Sequence, residues 1–169
     1  GNMNKTVHLT IDGMGIALFS AKTMEYVEPG SDFFTNEFVA PQQIAAHIRK
    51  GDITAFCTGS GGDFNLHFLT GQPTADIMEQ FPISARLGLD VQGGSVQFCD
   101  IFWLSRWTTN FPQDQVIPLE DGFYSITVCT CMPESGYWGE NQTIYIYFEK
   151  VDKMPELTWR GVPYLFTEE

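Results

Sequence analysis

The chain has 169 residues, 43% of them hydrophobic and 14% aromatic, with only 18% charged; this composition forms a core and excludes a disordered segment or one dependent on disulfides or metal. Twenty-one carboxylates face nine Lys and Arg, for a formal net charge of −12, which repels phosphate backbones and argues against nucleic acid as a partner. No apolar run reaches the roughly 18 residues of a membrane-spanning helix, and no charged-then-apolar leader opens the chain.

Residues 6–12 alternate, with Val7, Leu9 and Ile11 on one side. The turn signal Asp12-Gly13 and then Ile16 and Leu18 predict an opening hairpin. Residues 22–37 read as a polar, turn-rich loop, with Phe33, Phe34 and Phe38 tucked inward. Residues 40–50 predict a helix: Pro41 suits the first position, Ile44, Ala45 and Ile48 form a stripe, and Gly51 closes it after Arg49 and Lys50. Residues 52–58 and 64–70 read as a second hairpin across Gly59-Ser60-Gly61-Gly62, with Phe64, Leu66 and Phe68 facing in. A short helix capped by Thr74 is expected within 73–81, with Ile77, Met78 and Phe81 inward, and Pro82 ends it.

Residues 83–92 alternate again, Gly93-Gly94 turns the chain, and residues 95–104 read as the returning strand. Its end, Ile101-Phe102-Trp103-Leu104, is apolar on both faces, which predicts a central or covered position. After a loop at 107–115, residues 123–131 and 143–151 show period two twice over. Tyr124, Ile126 and Val128 share one face, as do Ile144, Ile146 and Phe148, which predicts a hairpin with a long connection at 132–142. Tyr164-Leu165-Phe166 could add an edge strand. The count is about eight or nine strands. The fold class is mainly β: an antiparallel β-sandwich or flattened barrel with one or two short helices, as a single domain over residues 1–169. The endings Phe56-Cys57-Thr58 and Val128-Cys129-Thr130 suggest possible duplicated halves, 1–82 and 83–169.

Motifs for chemistry are sparse. His47 and Gly59-Ser60-Gly61-Gly62 echo serine-protease sequences, but only 13 positions separate His47 from Ser60, where that fold inserts a barrel and the aspartate. The glycine run lacks the ending of a phosphate-binding loop and precedes a strand. His8, His47 and His67 have no second histidine or carboxylate at metal-ligand spacing and read as surface or strand residues. Glu120-Asp121 suits a turn. Asp100, among apolar residues, needs a partner if buried, and Arg86 or Arg106 could serve. Cys57, Cys99, Cys129 and Cys131 lack the usual zinc or thioredoxin spacing and read as free thiols in a reducing, cytoplasmic setting. No metal or cofactor is expected. The aromatic residues Tyr137 and Trp138 of the long loop, with Tyr145 and Tyr147 opposite the predicted core face, form the candidate binding surface. A second layer over that face would instead bury Tyr145 and Tyr147.

The run Leu119-Glu120-Asp121-Gly122-Phe123-Tyr124-Ser125-Ile126-Thr127-Val128, with the preceding Gly94-Ser95-Val96-Gln97-Phe98-Cys99-Asp100, resembles the competence protein J nuclease inhibitors and related bacterial β-sandwich proteins. The resemblance spans residues 93–151 and carries over no functional residue. It implies a β-sandwich of binding type, such as an inhibitor or immunity protein. With the acidic charge, the expected function is an acidic protein-binding domain whose partner is a basic protein such as a nuclease. The alternatives are a hydrolase or small-ligand enzyme with its site at the mouth of the sandwich, and a structural or accessory domain. The sequence offers no convergent polar cluster for the enzyme reading.

Overall fold

A computed structural model describes residues 2–157 and 161–167. Among the described residues the strands are β1 (Asn4–Ile11), β2 (Gly15–Phe19), β3 (Ile53–Cys57), β4 (Gly62–Thr70), β5 (Ile83–Val91), β6 (Ser95–Asp100), β7 (Val116–Pro118), β8 (Gly122–Thr130) and β9 (Gln142–Val151). The α-helices are α1 (Phe33–Glu37), α2 (Pro41–Lys50) and α3 (Ala75–Gln80). The strands form a five-stranded sheet, β1-β4-β9-β8-β5, and a four-stranded sheet, β3-β2-β6-β7. They stack as a sandwich. Phe64, Leu66, Phe68, Ile126, Val128 and Ile144 of the large sheet are fully buried against Ile16, Leu18, Phe56, Val96 and Phe98 of the small one. Each such side chain contributes about 1.5–3 kcal/mol of burial.

The hairpin of β8 and β9 is formed as predicted and is antiparallel, with the two inward faces matched: Ile126 stands opposite Phe148 and Val128 opposite Ile146. The other predicted hairpins are sheet changes. β1 lies in the large sheet and β2 in the small one; β3 and β4 separate in the same way, and so do β5 and β6. Strands of matched alternation joined by a glycine turn can pair or can diverge into facing sheets, and both arrangements bury the same inward residues. The sheets are also not wholly antiparallel, because β9 lies parallel to β4, with Ile146 beside Phe68. The chain traces one path twice. β1 pairs with β4 around a β2–β3 pair, and β5 pairs with β8 around a β6–β7 pair. The Cys-Thr endings matched in the sequence, after Phe56 and Val128, fall on β3 and β8, which do not correspond in that double path.

α2 starts at Pro41 and ends on Gly51 at φ 79°, a left-handed cap. Thr74 caps α3, its hydroxyl accepting from Ile77 N–H at 3.2 Å. Residues 22–37 are not all loop, since Asp32 accepts from Thr35 N–H and starts α1. The strand expected to reach residue 104 stops at Asp100, whose carboxylate accepts from Phe102 N–H at 2.9 Å and turns Ile101–Ser105 into a 3-10 helix. Leu104 is buried, but Phe102 is 55% exposed. The end of the described chain adds a single bridge to the small sheet, where Leu165 N–H donates to the Cys57 carbonyl at 2.8 Å.

Candidate functional site

The two halves of the candidate binding surface lie in different settings. Tyr145 and Tyr147 alternate away from the core on β9, as the period-two pattern requires, and their rings stack at 6.2 Å. Tyr145 also stacks on His67 of β4 at 4.7 Å and meets Phe81, just after α3, at 4.9 Å. The Met78 sulfur of α3 lies 3.7 Å from the Cys129 thiol. Over Tyr145 and Cys129 this face is covered by one short helix and its flanks, and Met154 and Pro155 lie over Gly88 of β5. Tyr145 is half-buried and Tyr147 is 6% exposed. Burial pushes the Tyr147 phenol up and the His67 imidazole down. His67 and Phe81 belong to this aromatic cluster but stand far from Tyr145 in sequence; the parallel β4–β9 pairing brings His67 to it, and the end of α3 brings Phe81.

Tyr137 and Trp138 sit at the tip of the β8–β9 loop. Tyr137 is 70% exposed and Met132 42%, and the exposed Glu134 and Glu140 lie in the same loop. The loop is held at its base and along its flank. Buried Gln142 donates to Thr130 Oγ1 at 3.0 Å and accepts from Gly139 N–H at 2.9 Å. Asp63 N–H donates to the Gly139 carbonyl at 2.7 Å, and Ser60 Oγ donates to the Trp138 carbonyl at 2.9 Å. The glycines of the protease-like run thus have a packing role. Gly62 takes φ +142°, and a Cβ there would collide with the Gly139 carbonyl. Ser60 is a loop clamp, and His47 is bonded elsewhere.

His47 is the polar centre that spacing missed. Its Nδ1 lies 2.9 Å from Asp52 Oδ1, and its Nε2 lies 3.8 Å from Glu37 Oε1. Tyr26 OH donates to Asp52 Oδ2 at 3.2 Å, and Lys50 Nζ stands 3.7 Å from the same oxygen. Burial of the hydroxyl and the Asp52 charge push the Tyr26 phenol well up. The His47 ring packs on Phe33 at 5.2 Å, and its side chain is 12% exposed. This arrangement fastens the end of α2 to β3. Its signal in the sequence was an Asp just beyond the Gly51 cap, where the turn brings it back to the last helical turn.

Asp100 takes neither arginine as its buried partner. Its carboxylate accepts from the backbone N–H groups of Asp12 at 2.8 Å and Gly13 at 3.2 Å, besides Phe102. Asp121 accepts from Gly94 N–H at 2.7 Å, and Tyr124 OH donates to the Glu120 carbonyl at 2.6 Å, so the acidic turn is structural. The mouth of the sandwich holds a cleft of about 680 Å³ lined by Met3, Ile117, Leu119, Tyr124 and Phe148. Its charged groups include Lys150 and Glu120, paired at 3.2 Å.

No protein-family model matches the chain, and no curated protein matches it. Among solved structures it is similar to the crocagin biosynthetic gene J protein, with TM-score 0.57 and 14% identity, over 87% of this chain and 97% of that one. It is also similar to ComJ from Bacillus subtilis, inhibitor of the DNA degrading activity of NucA, with TM-score 0.56 and 13% identity, over 89% of this chain and 99% of that one. At these identities the likeness is one of fold. The resemblance to competence protein J read over residues 93–151 thus extends, as a fold, to most of the chain.

Proposed function

We propose that this protein is an acidic protein-binding domain that engages a basic protein, in the manner of an inhibitor or immunity protein for a nuclease. The observation that carries the reading is the anchored β8–β9 loop. It presents Tyr137 and Met132 beside Glu134 and Glu140, outside the core and tied down on two sides. A loop already held in place loses little freedom on binding, and an exposed tyrosine supplies rigid contact area. The net charge of −12 steers a cationic partner toward the surface. ComJ, which shares the fold, is an inhibitor of a DNA-degrading activity, and an acidic inhibitor competes for a surface that holds phosphates.

The test is association kinetics with cationic nucleases of the source cell, at salt concentrations of about 50 and about 500 mM. Association is expected to slow at least about tenfold at high salt. Tyr137→Ala and Trp138→Ala are expected to speed dissociation with association little changed. A partner indifferent to salt and to both substitutions, or no basic partner at all, would overturn the reading.

A further inference from the structure

Gln97 points away from the sandwich core on β6, beside its cross-strand partners Phe19 of β2 and Val116 of β7. It is 6% exposed. Its Nε2 donates to Ser95 Oγ at 3.2 Å, while its Oε1 is buried without a hydrogen-bond partner. An unpaired buried acceptor is uncommon and costly, because the group has given up water and gained nothing. Gln97 also lines a cleft of about 600 Å³ between the small sheet and the covering segments 22–29 and 107–111. The cleft wall is aromatic, with Phe19 lying 4.9 Å from Trp107 and 5.5 Å from Phe111. At the rim Lys22 and Glu25 pair with each other at 3.2 Å, so this pair brings no net charge.

We propose that this cleft is a binding site for a small, flat, neutral molecule bearing one N–H donor. The donor meets Gln97 Oε1, and the ring lies against Trp107 and Phe111. The volume is in the range of small-molecule sites, which are mostly apolar with a few placed polar groups that set orientation. Aromatic walls favour a planar guest, stacked or edge-on. A lone buried acceptor selects guests that can donate and rejects those that cannot, since the latter leave it unpaired. The site lies in a different part of the fold from the β8–β9 loop, so its failure would leave the protein-binding reading untouched.

The experiment is an NMR titration of the full chain with indole and with N-methylindole, which keeps the ring and lacks the N–H. Indole is expected to give saturable shifts at the Gln97 side-chain amide and the Trp107 ring N–H. N-methylindole is expected to bind at least about tenfold more weakly. Gln97→Leu is expected to bind both probes alike. No saturable indole binding, equal affinity of the unaltered chain for both probes, or shifts confined to other surfaces would overturn the site. Preference for quinoline, a ring acceptor without N–H, would overturn the donor assignment. If Gln97→Leu does not fold, the comparison of the probes on the unaltered chain decides alone.

Discussion

On the four-stranded sheet Ala17, Phe19, Ile53, Ala55 and Cys99 point away from the sandwich core, and none exceeds 2% exposure. Met24, Phe33, Phe38, Leu104 and Trp107 pack across them as a third layer and a second apolar cluster. On the five-stranded sheet Thr6, His67, Tyr145 and Thr127 point away in the same manner. There α3 and its flanks lend Met78 and Phe81 as partial cover. The strands record the contrast. β2 is buried at every position, whereas β4 and β9 alternate along most of their length. A strand buried on both faces must be apolar on both, and a half-covered strand keeps polar groups and aromatic rings on its outer side. The covered face adds stability, and the thinly covered face leaves aromatic surface near solvent.

The largest expected effect tests the cover itself. Trp107→Ala should cost about 3–5 kcal/mol, like other large core truncations, whereas Tyr145→Ala should cost about 1–2 kcal/mol, as half-exposed ring stacking is lost. Urea midpoints of the two variants measure this, and equal losses would mean that both outer faces are equally sealed. Ile126→Ala and Ile146→Ala set the scale for the shared core at about 2–5 kcal/mol each, against a change within about 0.5 kcal/mol for Thr127→Ala.

A smaller effect separates close packing from backbone strain. Gly62 and Gly71 both have positive φ, but a Cβ at Gly71 meets nothing within 4 Å, while one at Gly62 meets the Gly139 backbone. Gly71→Ala should cost about 1 kcal/mol of strain. Gly62→Ala should cost more in thermal unfolding, and it should also loosen the Tyr137 loop.

The thiols probe each face in turn. Cys99 lies under the third layer and Cys129 under Met78. Burial pushes both up, Cys129 from 9.0 to about 11 and Cys99 further. A raised folded value means that the unfolded chain gives up its proton first. The contribution of Cys129 is therefore complete below about pH 9 and lost as pH rises through about 11. Stability measured from neutral pH upward should fall over that window. Alkylation at pH 8 should reach Cys129 before Cys99, and Met78→Ala should speed only Cys129. The smallest effect on stability is that of Tyr137→Ala, within about 0.5 kcal/mol by denaturant midpoint, because its ring is 70% exposed.

What the sequence by itself determined was local. Period-two alternation placed Tyr124, Ile126 and Val128 with Ile144, Ile146 and Phe148 in the core, and cap chemistry placed the ends of α2 at Pro41 and Gly51. It also located the exposed tip at Tyr137, from a loop bounded by two alternating strands. Only the tertiary structure decided which strands meet. Backbone hydrogen bonds are the same for every residue, so β4 could pair with β3, as the glycine turn suggested, or with β1 and β9, as it does. That choice brings His67 to Tyr145, sends Ser60 to the Trp138 carbonyl and gives Asp100 the N–H groups of Asp12 and Gly13. Each is a contact between residues remote in the chain, made by how the two sheets and their covering segments fit. Alternation tells which way a side chain points, but not what stands opposite it.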